Sequence, residues 1–189
     1  MARATHVLKS RKAIPESVCG IKGGIPEGSA YYWWKFKRGG KRWSMTPPRR
    51  SQLTQSSFYS AVYDLEDDVI SNATADDGLA GLRDDVTSQL QEISDQCQES
   101  LDNMPEGLQQ GSTGELLQER IDAMDSAISE FDSLELEEPD DDDLEFSKQE
   151  KDESDFDYEK RKESERETLT REYWEAKLEE FQGIGIETP

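Results

Sequence analysis

Apolar side chains along most of this chain recur every three or four residues. The recurrence covers residues 54–71, 79–104, 113–136 and 157–182. Such spacing places the apolar positions on one face of a helix. The pattern therefore predicts four amphipathic helices, of which the second and third, joined by a short connection, form an antiparallel helical hairpin or coiled coil.

The predicted helical hairpin has narrow apolar stripes on otherwise polar helices. We expect Cys97, which lies on the first stripe, to be a small buried apolar residue, and Ser112 with Glu115 to form a capping box at the start of the second helix. The spacing leaves open whether the stripes close within one chain or between two copies. The stripe residues are Leu79, Leu82, Val86, Leu90, Ile93, Cys97, Leu101 and Met104, then Leu117, Ile121, Met124, Ile128, Phe131 and Leu134.

A different pattern occupies residues 30–50. Residues 31–38 read Tyr-Tyr-Trp-Trp-Lys-Phe-Lys-Arg, and a second strand-like run, Lys-Arg-Trp-Ser-Met, follows Gly39 and Gly40. Two such runs separated by Gly-Gly are typical of a two-stranded β-hairpin with a two-residue turn, in which glycine accepts positive φ. This register pairs Phe36 with Trp43. It predicts an apolar face of Tyr32, Trp34, Phe36, Trp43 and Met45, and a cationic face of Tyr31, Trp33, Lys35, Lys37, Arg42 and Ser44.

Together these patterns predict an α+β fold class, mostly α, with an N-terminal two-stranded hairpin. The segments outside the predicted helices and hairpin have little apolar periodicity. Residues 137–156 are dominated by carboxylates, which repel one another, and contain few apolar residues to compensate for ordering, so we expect an acidic disordered linker. The predicted organisation is a basic flexible arm (1–29), the hairpin (30–50), a helical region (51–136), the linker (137–156), a C-terminal helix (157–182) and a tail (183–189).

Charge changes this picture because it is divided between two parts of the chain. Residues 1–53 contain twelve Lys and Arg against two Glu, a net charge of +10, and residues 54–189 contain ten against 41 acidic residues, a net charge of −31. The overall −21 thus hides a basic head on an acidic body. Such asymmetry bears on the partners of a protein rather than on its fold.

Candidate catalytic and metal-binding residues are few. His6 and Cys19 supply two ligands where a structural zinc site needs four, and the run 140–143 lacks the glycine and the alternating ligands of a calcium loop. The sequence contains no Gly-rich phosphate loop and no nucleophile elbow. We therefore expect a non-enzymatic protein without cofactor or metal. Two cysteines, no apolar leader and no long apolar run favour a cytoplasmic protein that does not enter a membrane.

The hairpin is the best candidate for a functional site. Lys and Arg attract phosphates, and exposed aromatic rings stack on bases. We predict a nucleic-acid-binding or adaptor protein with DNA or RNA as partner. The alternative is an acidic helical assembly, scaffold-like or nucleic-acid-mimicking protein, which binds a basic protein through its helices or self-associates through the stripes. The predicted nucleic-acid-binding residues are Tyr31, Trp33, Lys35, Lys37, Arg38, Lys41, Arg42, Arg49 and Arg50.

Two resemblances bear on this prediction. Residues 30–46, with aromatics, basic residues, a glycine turn and then Lys-Arg-aromatic-Ser, resemble the small sheet in the arm-type DNA-binding modules of phage integrases, which implies DNA contact through the hairpin. Over roughly its first 120 residues, the chain also resembles an uncharacterised family of small phage and environmental proteins. The second resemblance implies a phage context, and hence the cytoplasm of a host cell, but no particular activity. The segments that carry it are residues 2–7, 31–36, 51–56 and 104–111.

Overall fold

The computed structural model describes residues 1–149 and 154–189, which fall into two compact units, residues 1–64 and 65–189. Helix predominates, and the first unit contains a three-stranded antiparallel sheet, which confirms the prediction of a mostly helical α+β chain. Within the described residues, no helix combines the length and the apolar character that crossing a membrane requires.

The sheet of the first unit has one strand more than predicted. The strand order is β1-β2-β3, and residues 5–7 of β1 pair with residues 31–33 of β2. Sequence periodicity missed β1 because three residues are too few to show an alternation. The elements of this unit are β1 (Thr5–Val7), α1 (Glu16–Cys19), β2 (Tyr31–Lys35), β3 (Lys41–Ser44), a 3-10 turn (Ser51–Leu53) and α2 (Ser57–Asp64).

Residues 1–29, predicted as a flexible arm, instead contain β1, α1 and a closed loop. The backbones of Ile14 and Ile25 exchange two hydrogen bonds of 2.9 and 2.8 Å, and Ile25 is 1% exposed. Gly24 makes this approach possible, because it has a φ of +73° and a Cβ there would lie 2.5 Å from the carbonyl oxygen of Ile14. The prediction failed because a glycine in the left-handed conformation closes this loop, and such a closure leaves no periodic pattern of apolar residues in the sequence.

The connection between β2 and β3 also differs from the prediction. Trp33 lies opposite Trp43 and Lys35 lies opposite Lys41, so five residues, 36–40, join the strands. Neither glycine of the turn has positive φ. The Gln55 side chain holds the longer loop by donating a 3.0 Å hydrogen bond to the carbonyl oxygen of Arg38.

The second unit consists of helices and the segments between them. The predicted helix 54–71 is an α-helix, α2, followed by a π-helical turn, and the predicted C-terminal helix begins two residues earlier than expected. Its elements are the π-helical turn (Leu65–Ile70), α3 (Leu79–Asp102), α4 (Glu106–Gln109), α5 (Ser112–Asp132) and α6 (Asp155–Gly183).

Helices α3 and α5 form the antiparallel hairpin that the stripes predict. Arg83 near the start of α3 donates to the carbonyl oxygen of Leu134 just beyond α5, and Ser94 in mid-α3 donates to Asp125 in mid-α5. The stripes meet within one chain and are buried or half-buried throughout. Cys97 is 6% exposed, as predicted, and this burial raises the pKa of its thiol, opposed by the charge of Arg120.

The capping box predicted for Ser112 and Glu115 at the start of α5 is not formed. Gly111, not Ser112, precedes the first turn of α5, and no side chain caps it. Helix α4 lies so close that a Cβ on Gly114 would be 1.8 Å from the carbonyl oxygen of Gln109. The Gln109 side chain in turn donates to the carbonyl oxygens of Leu101 and Met104 at the end of α3.

The acidic segment is predicted to be a disordered linker. Its described part, residues 137–149, is instead held by contacts with α6. Residues 137–149 contain no helix or strand, yet Leu144 is 5% exposed. The Asp141 carboxylate accepts a 2.7 Å hydrogen bond from Lys162 and another from Arg166, both on α6. These pairs, with the Lys162 hydrogen bond largest, hold the pKa of Asp141 below its usual value. Residues 150–153 of the predicted linker lie outside the described residues.

Candidate nucleic-acid interface

The three-stranded sheet presents two chemically different faces. Strand alternation and the observed pairing give the membership of each face. We call one the open face; it comprises Thr5, Val7, Tyr31, Trp33, Lys35, Lys41 and Trp43. The opposite face comprises His6, Tyr32, Trp34, Arg42 and Ser44.

One buried tryptophan distinguishes the two faces, since the other residues of the opposite face are half-buried or exposed. Trp34 at the centre of the opposite face is 5% exposed, and beside it the His6 ring stacks on Tyr32 with a centroid distance of 4.3 Å. On the open face, Tyr31, Trp33 and Trp43 are only half-buried. The open face therefore leaves aromatic surface accessible, while the opposite face contributes the core tryptophan.

Lys41 lies on the aromatic surface of the open face. Its ammonium nitrogen is 3.8 Å from the centroid of the Trp33 ring and 5.4 Å from that of Trp43. A cation–π contact at an exposed position contributes about 0.5–1 kcal/mol, whereas stacking of a base on an aromatic side chain contributes roughly 1–3 kcal/mol. A base can therefore displace Lys41 from Trp33, and the displaced ammonium is then available to a phosphate.

A cleft of about 650 Å³ adjoins the open face, and we call it the basic cleft. Lys35, the last residue of β2, belongs both to the open face and to this cleft. The amide of Ala2 donates a 2.7 Å hydrogen bond to the carbonyl oxygen of Leu53, which brings Arg3 to the same place. The cleft is lined by Met1, Ala2, Arg3, Lys35, Phe36, Lys37, Leu53, Thr54 and Gln55.

The predicted site residues do not all come together. Tyr31, Trp33, Lys35 and Lys41 lie on the open face, and Lys37 lies with Lys35 in the basic cleft. The observed pairing also places Trp43 on this face, whereas a two-residue turn predicts it on the other one. The four remaining residues lie elsewhere: Arg38 in the loop, Arg42 on the opposite face, and Arg49 and Arg50 in the two positions before the 3-10 turn.

Arg50 has a partner of its own. Its guanidinium carbon lies 4.1 Å from the centroid of the Tyr63 ring on α2, and Tyr63 is 6% exposed. Because this contact joins the residue before the 3-10 turn to α2, Arg50 contributes to the packing of the first unit and is not part of the open face.

Sequence reasoning missed two residues of the site. Trp43 was assigned to the apolar face because a two-residue turn was assumed, although matching Trp33 with Trp43 as a cross-strand aromatic pair would have given the observed register. Arg3 was treated as part of a flexible arm. No local signal connects Arg3 with Lys35, since the Ala2–Leu53 hydrogen bond joins residues far apart in sequence.

The first unit as a whole is cationic. Residues 1–64 contain twelve Lys and Arg and three Asp and Glu, a net charge of +9. Lys35, Lys37, Lys41 and Arg3 are all exposed. Accessible cations beside accessible aromatic rings can attract a phosphate backbone and stack on bases. Among residues 1–149 and 154–189, no group of three His, Cys, Asp or Glu side chains could hold a metal ion.

Comparison of the chain with family models, with curated proteins and with solved structures gave no match.

Proposed function

We propose that this protein is a non-enzymatic nucleic-acid-binding or adaptor protein that contacts DNA or RNA through the open face and the basic cleft. One observation carries the proposal: three half-buried aromatic rings share a sheet face with Lys35 and Lys41, and Lys35 also lines a cleft with Arg3 and Lys37. A single half-buried Trp or Tyr is ordinary in a folded protein, and what supports the proposal is that three of them share one face with two lysines.

Phosphate attraction is the sequence-independent part of the proposed binding. Each phosphate that Lys or Arg neutralises releases condensed counterions, so affinity falls as salt rises. Arg3, Lys35 and Lys37 line the same cleft, so a single strand that runs through it would meet all three cations. The resemblance of residues 30–46 to the small sheet in the arm-type DNA-binding modules of phage integrases is a further reason to propose that this surface binds nucleic acid.

The proposal is tested by replacing the three cations of the basic cleft together. Fluorescence anisotropy of a labelled oligonucleotide, measured over a series of salt concentrations, gives the affinity and its salt slope. The variant Arg3/Lys35/Lys37→Ala should bind more weakly, and the slope of log K against log salt should become less steep by about 2, the value expected from losing three phosphate contacts on a single strand.

The control is a variant with the same change in charge at another place in the first unit. Lys9, Arg11 and Lys12 are exposed and lie outside both the sheet pairing and the cleft lining. Their replacement by Ala should change the salt slope much less. If both triple variants lost the same affinity, binding would depend on the net charge of the first unit and not on the basic cleft. If the wild-type chain did not bind the oligonucleotide, the proposal would be wrong.

A cytoplasmic location fits this function. Both cysteines, Cys19 and Cys97, are free and buried, which suits a reducing compartment. If the chain is phage-encoded, this is the cytoplasm of the host cell.

The alternative function is an acidic assembly protein that binds a cationic partner. The observation in its favour is the surface of the helical hairpin: α3 and α5 together contain twelve Asp and Glu, all exposed, against Arg83 and Arg120, both half-buried. On α3 the carboxylates at positions 85, 92 and 99 are seven residues apart and form one stripe.

The alternative has its own test. A lysine-rich peptide of defined sequence should bind the wild-type chain, and the variant Asp85→Asn, Glu92→Gln, Glu99→Gln should bind it several-fold more weakly. The Arg3/Lys35/Lys37→Ala variant serves as the control, because it leaves the acidic stripe intact. Equal binding of the peptide by all three proteins would count against a specific acidic docking surface.

A further inference from the structure

We infer that the open face selects single-stranded nucleic acid over duplex, with unpaired bases stacked on Trp33 and Trp43. This inference rests on the proposed function and names the kind of nucleic acid that the same surface takes. It follows from what the open face offers a ligand at its centre, from the connection to the basic cleft, and from the position of Lys41.

The centre of the open face is formed by two indole rings, with the Lys41 ammonium over one of them. Trp33 and Trp43 are directly opposite one another on neighbouring strands, where side chains lie close enough to form one surface. In a duplex the faces of the bases are covered by their neighbours, and a protein reads base edges through polar side chains. An unpaired base presents its π-face, for which an indole ring is the matching partner.

The cations lie where the backbone of such a strand would run. Lys35 follows Trp33 on the same face, two residues further along β2, and enters the basic cleft with Arg3 and Lys37. A strand with one base on Trp33 therefore has its next phosphates beside these cations. The arrangement provides a stacking platform and a cationic groove in continuity, which is the combination used to bind single strands without sequence preference.

Lys41 is the group that a bound base must move. In the free protein its ammonium lies 3.8 Å from the Trp33 centroid and covers part of the platform. Base stacking on an aromatic ring is stronger than a cation–π contact at an exposed position, so the exchange favours the base. A duplex, which cannot stack on the ring, gains nothing from displacing Lys41.

The first measurement uses the wild-type chain. A single-stranded oligonucleotide and the duplex of the same sequence are titrated at one salt concentration, with affinity followed by anisotropy and stacking followed by tryptophan fluorescence. We expect the single strand to bind about tenfold or more tightly, as one good stack provides, and to quench tryptophan fluorescence much more than the duplex does. This readout does not depend on any variant folding.

The second measurement replaces Trp43 by two apolar residues of different character. Trp43→Phe keeps a ring that stacks, whereas Trp43→Leu keeps apolar surface without one. We expect Trp43→Leu to weaken single-strand binding about 5- to 150-fold, the range for the loss of one base–aromatic stack, and Trp43→Phe to retain most of the affinity. Phe156→Ala, which removes an aromatic side chain that is 77% exposed in the second unit, is the control and should bind like the wild type.

The outcomes separate the inference from the proposed function. Stronger binding of the single strand, with Leu and Phe variants that differ, supports both. Duplex binding that equals or exceeds single-strand binding, or equal affinities of the Leu and Phe variants, overturns the inference and leaves the proposed function standing. Absence of binding to either oligonucleotide overturns both.

Discussion

Two phenylalanine side chains of the second unit are fully enclosed, whereas three aromatic side chains on the open face of the first unit are only half-buried. Phe131 and Phe181 have no exposed surface and pack with ring centroids 5.1 Å apart, whereas Tyr31, Trp33 and Trp43 keep part of their rings accessible. The two phenylalanines therefore stabilise the interior of the second unit, while the three rings of the open face keep surface available for contact. The net charge follows the same division, with +9 on residues 1–64 and −30 on residues 65–189.

The difference shows that the two units obtain stability from different sources. The helical unit brings the apolar stripes of α3 and α5 together and adds Phe181 from α6, so its interior is continuous along the hairpin. Within residues 1–64, Trp34 is the one strand residue that is buried, and the other buried apolar side chains, Cys19, Ile25, Phe58, Val62 and Tyr63, come from the loops and helices. Substitutions that remove equal amounts of aromatic surface should therefore have unequal effects, depending on where they fall.

The largest effect is expected in the interior of the second unit. Phe181→Ala should lower the free energy of unfolding by about 3–5 kcal/mol, because it removes a fully buried ring and leaves a cavity against Phe131. Urea unfolding followed by far-UV circular dichroism measures this. Phe156 lies on the same helix but is 77% exposed, so Phe156→Ala should change stability by less than about 0.5 kcal/mol. Equal effects would mean that α6 is not held by its buried end.

Two adjacent tryptophans test the sheet in the same way. Trp34→Ala should destabilise the chain toward the lower end of about 3–5 kcal/mol, because the loss of a buried ring is partly offset by removing an indole N–H that has no hydrogen-bond partner. Trp33→Ala should cost about half as much or less, since Trp33 is already half-exposed. Thermal unfolding of both variants compares them. A larger loss for Trp33 than for Trp34 would show that the open face is a core.

Replacing two glycines of the second unit by alanine should change the free energy of unfolding in opposite directions. Gly114→Ala should destabilise by about 1–3 kcal/mol, because the new methyl group meets the backbone of Gln109 and forces α4 away from α5. Gly81 is in α3, exposed, with open space around it, so Gly81→Ala should stabilise by about 0.5–1 kcal/mol. Chemical denaturation measures both. Stabilisation by both substitutions would contradict the close approach of α4 to α5.

The smallest effect concerns the acidic segment that the second unit holds by charge. The folded pKa of Asp141 is lowered, so its contribution to stability is fully present above its unfolded pKa of about 3.9 and is lost as pH falls through the folded value. The melting temperature of the wild type should therefore exceed that of Asp141→Asn slightly at neutral pH, and the two should converge below about pH 4. The partners are partly exposed, which keeps the effect small. Asp142→Asn is the control, and a pH-independent difference for Asp141 would contradict this account.

The helices could be predicted from the sequence because their signal is local. Three- and four-residue spacing identified α3 and α5, and their stripes are buried as expected. The antiparallel hairpin followed from the short connection between them. The details of that connection could not be predicted, since the need for glycine at position 114 comes from Gln109 in a separate short helix.

The sheet was harder to predict because its register depends on residues distant in sequence. Trp43 was predicted to lie opposite Phe36 and instead lies opposite Trp33, a shift of three residues. An odd shift moves every side chain of a strand to the other face. The predicted grouping of Tyr31, Trp33 and Lys35 on β2 is therefore observed, while Trp43 and Arg42 on β3 exchange faces. The loop that sets this register is held by Gln55, well beyond the hairpin.

The lysine resting on Trp33 has a consequence for how copies of this protein behave in the absence of a ligand. Exposed aromatic patches promote self-association between soluble proteins. Here the Lys41 ammonium lies over Trp33 on the open face, and Lys35 is its pairing partner on the neighbouring strand. Two open faces that approached one another would therefore bring like charges together. The two lysines therefore oppose stacking of one copy on another through this face for as long as no ligand neutralises their charge.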